Sequence, residues 1–150
     1  MLQLRTAQAA DAPLLYQLIG ELADYERLRH RCVGCIEDLQ RHLFEEPRYA
    51  AAMLACWNGE PAGYSLYFHN YSTFQCRPGL YLEDLFVRPS FRGLGIGRAL
   101  LAELERRARE LGCGRLEWSV LDWNQRAIDF YRSFGAAPNE GWTLFRKDLI

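Results

Sequence analysis

The run Arg92-Gly93-Leu94-Gly95-Ile96-Gly97 sets three glycines at alternate positions between an apolar, strand-like stretch, Leu80 to Val87, and an amphipathic, helix-like stretch, Arg98 to Leu111. Glycine tolerates the backbone of a tight turn, and a turn that opens a helix aims bare N–H groups at whatever lies ahead of it. The combination is a cradle for a phosphate, with Arg92 beside it as a fixed positive charge. Two nucleotide motifs do not fit. A dinucleotide fingerprint, G-x-G-x-x-G, would place its third glycine at Arg98, and a P-loop needs Gly-Lys-Ser/Thr, whereas the only lysine in the chain is Lys147.

Acid–base groups flank this cradle. Glu83 and Asp84 stand side by side in the stretch ahead of it, and Tyr131 follows Asn124 by seven residues, about two turns of one helix. Taken alone, Glu83 reads as a solvent-facing strand residue and Tyr131 as packing beside Phe130. Cys32-Val33-Gly34-Cys35, with His30 nearby, has the spacing of a metal or redox pair, but no second cysteine pair follows and His42 falls on the polar side of a helix. No metal site is expected. His69, inside an aromatic strand, reads as a structural residue.

These groups need a scaffold, and the chain spells one out. Leu2 to Thr6 alternates like a short strand, and Asp11-Ala12-Pro13 is an N-cap with proline in the first turn of a helix. Leu14, Leu15, Leu18, Ile19, Leu22 and Tyr25 then recur at helical spacing to about Leu28. A shorter helix is expected from Ile36 to Phe44. Tyr49 to Trp57 and Ala62 to Tyr71 are apolar runs around Asn58-Gly59, the sign of a tight hairpin. A loop, Ser72 to Gly79, leads to the strand Leu80 to Val87, the glycine turn and a helix that Gly112 stops. Arg115 to Leu121 reads as a strand, Asn124 to Phe134 as a helix stopped by Gly135, and Trp142 to Asp148 as a last strand. Strand-helix-strand requires a parallel pair while the hairpin requires an antiparallel one. The expected fold is α/β, a mixed sheet with helices on both faces.

Composition narrows the setting. At 150 residues, 49% hydrophobic and 25% charged, the chain is expected to be a single domain over residues 1–150. No apolar stretch approaches the ~20 residues of a membrane span, and Met1-Leu2-Gln3-Leu4-Arg5 lacks the layout of a signal peptide. The expected compartment is the cytoplasm, which suits five scattered cysteines kept as thiols. A net charge of -1 gives no pull toward nucleic acid, and neither nucleic acid nor membrane is an expected partner.

Several strings together resemble one enzyme family. They are Glu21-Leu22-Ala23-Asp24-Tyr25-Glu26, Tyr67-Phe68-His69-Asn70-Tyr71-Ser72-Thr73-Phe74, Tyr81-Leu82-Glu83-Asp84-Leu85-Phe86-Val87, Arg92 to Gly97, Asp122-Trp123-Asn124-Gln125-Arg126-Ala127, Phe130-Tyr131 and Glu140-Gly141-Trp142. The chain is similar in these to the GNAT superfamily of N-acetyltransferases. Within it the likeness is to the diamine acetyltransferase branch, which includes spermidine/spermine and thialysine acetyltransferases. The resemblance implies the acyl-CoA N-acyltransferase fold with a mostly antiparallel sheet, acetyl-CoA as cosubstrate, a small-molecule amine as acceptor and a homodimer.

Residue by residue, it implies that Glu83 is the general base and Tyr131 the general acid toward the coenzyme A sulfur. Leu85, Phe86 and Val87 would run along the pantetheine arm, and Arg92, Gly93, Leu94, Gly95, Ile96 and Gly97 would hold the pyrophosphate. Asn124, Ala127 and Tyr131 would lie near the sulfur, and Tyr25, Glu26, Glu83 and Glu140 would bind the amine. The chemistry agrees with those roles. An alkylammonium with a pKa of ~10.4 must lose a proton before it attacks a thioester, and a thiolate of ~8.5 leaves more readily with a proton donor. Ser72 stands where polyamine-acetylating members resemble one another in an acidic residue. A lysine-like amino acid or short diamine is therefore expected to be preferred over spermidine. The alternatives are acetylation of a polyamine, a protein terminus or an aminoglycoside, or an acyl-CoA-binding domain without turnover.

Overall fold

The computed structural model describes residues 1–150, which divide into two compact units, Met1–Ser119 and Val120–Ile150. The first unit is built on five strands lying in chain order: β1 (Leu2–Thr6), β2 (Ala51–Trp57), β3 (Glu60–Ser72), β4 (Arg77–Val87) and β5 (Leu116–Trp118). β1 to β4 pair antiparallel, and β4 pairs with β5 in parallel. Helices α1 (Ala12–Tyr25), α2 (Ile36–Phe44) and α3 (Ile96–Glu110) complete this unit.

Alternation along β2 sends its side chains into two layers. Ala52 and Leu54 join Leu15, Leu18, Leu43, Tyr64, Leu66 and Phe86 in the core under α1 and α2. Met53 and Ala55 are buried on the opposite face, the side on which α3 buries Ile96, Leu100, Leu101 and Leu104. The β2–β3 turn is made by Asn58 and Gly59 at φ 49° and 85°, as the Asn-Gly pair requires.

β4 changes faces halfway. Tyr67 is opposite Leu82 but Leu66 is opposite Asp84, so Glu83 is an extra residue, a β-bulge. Before the bulge Leu82 lies on the side of Tyr67, whose hydroxyl accepts a hydrogen bond from Arg107 of α3 at 2.9 Å. After it Asp84 and Phe86 face the α1 side with Leu66 and Tyr64. One strand thereby buries leucines under α3 and a phenylalanine under α1, and Glu83 sits exposed at the switch.

The structure departs from the sequence expectations at several element boundaries. α1 stops at Tyr25 because Arg27 takes φ 60° and the Leu28 amide turns back to the Ala23 carbonyl. β4 begins at Arg77, since Ser72 Oγ accepts from the Gln75 amide at 3.2 Å and closes a short turn in place of the longer loop. β5 runs for three residues only.

The second unit contains α4 (Gln125–Ser133), followed by Gly135 at φ 97°. The strand expected over Trp142–Asp148 does not form: residues 142–150 are in no strand, and Trp142, Leu144, Phe145, Leu149 and Ile150 are exposed. A strand needs a neighbour to take its N–H and C=O groups, and no pairing supplies one.

Candidate active site

The glycine turn has the open, positive-φ backbone that an anion cradle would use. Gly93 and Gly95 adopt φ 80° and 79°, and a Cβ built on either meets nothing within 4 Å. Gly95 is the N-cap of α3 and its carbonyl takes the first helical hydrogen bond, from Ala99 at 3.0 Å. The amides of Ile96 and Gly97 therefore lead the helix at its positive end. Open space above two glycines, a helix N-terminus and Arg92 alongside fit a pyrophosphate.

Arg92 is held on two sides. Its Nε donates to the Val87 carbonyl at 3.1 Å, and its guanidinium carbon lies over the Tyr25 ring, 4.7 Å from the centroid. Arg88, at the end of the same strand, donates twice to Glu21, at 2.9 Å each, and once to the Pro61 carbonyl at 3.0 Å. These bonds tie the end of α1, with Tyr25 and Glu26, to the strand that leads into the cradle. Burial of this two-pronged pair is partial, and Arg88 holds the Glu21 carboxyl below its usual range.

Between cradle and bulge, β4 is paired on one side only. Its parallel partnership with β5 covers Leu80 to Leu82 and then ends, leaving Glu83 to Val87 beside β3 alone. Leu85 and Val87 are half-buried, opposite Ser65 and Gly63. Phe86 is 4% exposed and commits its ring to the core, so only its backbone remains for a ligand. Gly63 is required here, because a Cβ would meet the Phe86 carbonyl oxygen at 2.3 Å.

Three carboxyls gather near the bulge. Burial, and then the charge of Glu83, raises the Glu26 carboxyl above its ordinary range. Burial pushes Asp84 up to about 6, with Glu83 and Glu26 adding to the rise and a hydrogen bond from Tyr64 opposing it. That bond, Tyr64 hydroxyl to Asp84 Oδ2, is 2.7 Å long. Nothing in the sequence pattern signals it: Tyr64 reads there as one aromatic in an apolar strand.

In the second unit, Asn124 caps α4, its Oδ1 accepting from the Ala127 amide at 3.3 Å. Tyr131 is half-buried on the same helix, its ring centroid 5.5 Å from that of Phe130. Glu140 lies exposed in a turn ahead of residues 142–150.

Ser72 is not where the acceptor argument needed it. It is opposite Arg77 at the hairpin tip, and six residues of β4 separate that end from Glu83, about 20 Å at the rise of a strand. Within one chain it caps a turn and lines no site with Glu83.

The comparisons with known proteins agree with this architecture. The profile of the Acetyltransferase (GNAT) family matches residues 15–136, which take in the carboxylates, the cradle and α4. The chain belongs to the GNAT acetyltransferases. Thialysine N-epsilon-acetyltransferase of Bos taurus is 38% identical over 95% of this chain and 90% of its own length. The protein of that name from Caenorhabditis elegans is also 38% identical, over 91% of this chain and 86% of its own. Among solved structures, an integron cassette protein from V. cholerae superposes with a TM-score of 0.82 at 25% identity, over 98% of this chain and 92% of that one. The GNAT chain is thus an N-acetyltransferase with a mixed, mostly antiparallel sheet, and acetyl-CoA is the cosubstrate its family uses. No helix of it is long and apolar enough to cross a membrane.

Proposed function

We propose that residues 1–150 form one catalytic domain that acetylates the terminal primary amine of a lysine-like amino acid, such as thialysine, or of a short diamine. The observation that carries this reading is the bulge at Glu83, which sets an exposed carboxylate one strand-end from the glycine cradle, with the Glu26 carboxyl raised by burial and then by the charge of Glu83. Two carboxylates favour a cationic amine over a neutral or acidic acceptor. The 38% identity to two thialysine acetyltransferases supports the acceptor class.

Acetyl-CoA supplies an activated acetyl group and a thiolate leaving group. Gly93 to Gly97 and Arg92 hold its pyrophosphate, and the backbone of Leu85 to Val87 meets the pantetheine arm. A backbone N–H of Leu85 or Phe86 polarises the thioester carbonyl. Tyr25 and Glu26 orient the ammonium, with Glu140 as a further carboxylate. Glu83 takes the proton from the acceptor nitrogen, directly or through a water, and Tyr131 gives one to the departing sulfur. Asn124 and Ala127 fix the start of the helix that carries Tyr131.

The enzyme acts in the cytoplasm as a homodimer, with neither membrane nor nucleic acid as a partner and no metal. The exposed side chains of Trp142, Leu144, Phe145, Leu149 and Ile150 are apolar surface that a second copy would cover. The deciding experiment is an amine panel with acetyl-CoA, read by release of free thiol. Thialysine, lysine and short diamines should lead. A lead for spermidine, an aminoglycoside or a peptide terminus would replace the acceptor class, and no thiol release with any amine would remove the activity.

A further inference from the structure

Tyr64 is fully buried, yet its hydroxyl is not spent on the core. It points from β3 across to β4 and donates to Asp84 Oδ2 at 2.7 Å. The bulge makes this contact possible, since without the extra residue Asp84 would fall on the α3 side of the sheet, away from Tyr64.

We propose that Tyr64 is a positioning residue for the acceptor site, holding Asp84 in place and in its charged form beside Glu83 and Glu26. This rests on the amine-acetylating reading of the same site. The groups acting on Asp84 are Tyr64 from β3, Glu83 from β4 and Glu26 from the end of α1. Those acting on Tyr64 are Asp84, Glu26 and the Cys32 thiol of the α1–α2 connection. No cation is among them, so one phenol donor is set against burial and two like charges. Tyr64 itself stays protonated, its phenol pushed well up by burial and by Asp84. The outcome is a carboxyl held near 6, ionised at neutral pH and poised to lose that charge if the donor is removed.

The test is the pH dependence of kcat/KM for one good amine in the wild type and in Tyr64→Phe, which removes a single oxygen. One pKa unit is tenfold in the ratio of ionised to protonated carboxyl. The acid limb should move up by about one unit, with kcat/KM down about 5-fold at pH 6 and within about 2-fold at pH 8.5. The KM for acetyl-CoA should not change. In an Asp84→Asn background the same substitution should have no further pH-dependent effect, because the carboxyl it serves is gone.

Placing 3-fluorotyrosine at position 64 gives a stronger donor of nearly the same shape and should move the limb down, a result that does not depend on Tyr64→Phe folding. Superimposable profiles for wild type and variants would overturn the role of Tyr64, as would an equal, pH-independent loss in both backgrounds. Either result leaves the acceptor assignment standing, because that is decided by the wild-type amine panel alone.

Discussion

The guanidinium carbon of Arg92 stands 4.7 Å from the centre of the Tyr25 ring, so the cation beside the glycine cradle is braced by the residue that precedes Glu26. In the proposed function, the cosubstrate and acceptor sides of the enzyme share this contact. Arg92→Ala should raise the KM for acetyl-CoA by about 10-fold or more, the scale of a lost charged hydrogen bond. It should also raise the amine KM about 2- to 5-fold, the scale of an exposed cation–π contact. Arg92→Lys should recover part of the first effect and little of the second, since an ammonium cannot stack as a plane or keep the Nε bond to Val87. Steady-state kinetics with each substrate varied in turn would show this, and an unchanged amine KM in Arg92→Ala would uncouple the two sides.

Gly95 and Gly135 both take positive φ, 79° and 97°, and a Cβ on either meets nothing within 4 Å. Each Gly→Ala change should therefore cost about 1 kcal/mol of backbone strain. Only at Gly95 would the methyl group occupy the space read as the pyrophosphate seat. Gly95→Ala should raise the acetyl-CoA KM about 10-fold, whereas Gly135→Ala should lower thermal stability by a similar amount and leave that KM alone. Equal effects of the two on KM would mean that the turn matters through folding and not as a cradle.

Much of this arrangement was legible because its signals are local. Asn58-Gly59, the glycine turn and the helix stop at Gly112 each follow from backbone freedom at a few residues, and all three stand where the sequence placed them. The bulge at Glu83 was not legible. Leu80, Leu82 and Phe86 keep one parity in the sequence although they pack on opposite faces, and only the register with Leu66 and Tyr67 reveals the slip. The Tyr64–Asp84 bond is hidden for the same reason, being a cross-strand contact between residues twenty apart. Trp142 to Asp148 misled in the other direction, since an apolar run proposes a strand but only a neighbouring strand can make one.

Asp84 should cost the protein stability. Its carboxyl goes from 3.8 in an ordinary setting to about 6 in the fold, so the folded chain binds the proton more tightly than the unfolded one. That contribution favours folding below about pH 4 and is lost as pH rises through about 6. A gap of about two units bounds the effect near 3 kcal/mol, and the carboxyl's partial exposure reduces it to about 1–2. Asp84→Asn should therefore be more stable than wild type by about that much in urea titrations at pH 7.5 and no more stable at pH 4. A gain of the same size at both pH values would make it a packing effect.

Glu83 and Tyr131 are assigned to opposite ends of the proton traffic, and pH separates them. Glu83→Gln removes the proposed base, so its rate loss should be greatest near neutrality and should shrink as the pH approaches the ~10.4 at which an alkylamine is already half neutral. Tyr131→Phe removes the proposed donor to sulfur and keeps the ring against Phe130. Its kcat should fall about 10²- to 10⁴-fold with little change in the acetyl-CoA KM. The loss should not be repaired at high pH, where a proton donor is needed no less. Profiles of kcat from pH 6.5 to 10 for both variants decide the matter. If Glu83→Gln loses the same factor at every pH, the carboxylate binds the ammonium without taking its proton. If Tyr131→Phe turns over like wild type, the phenol is packing and the sulfur leaves without it.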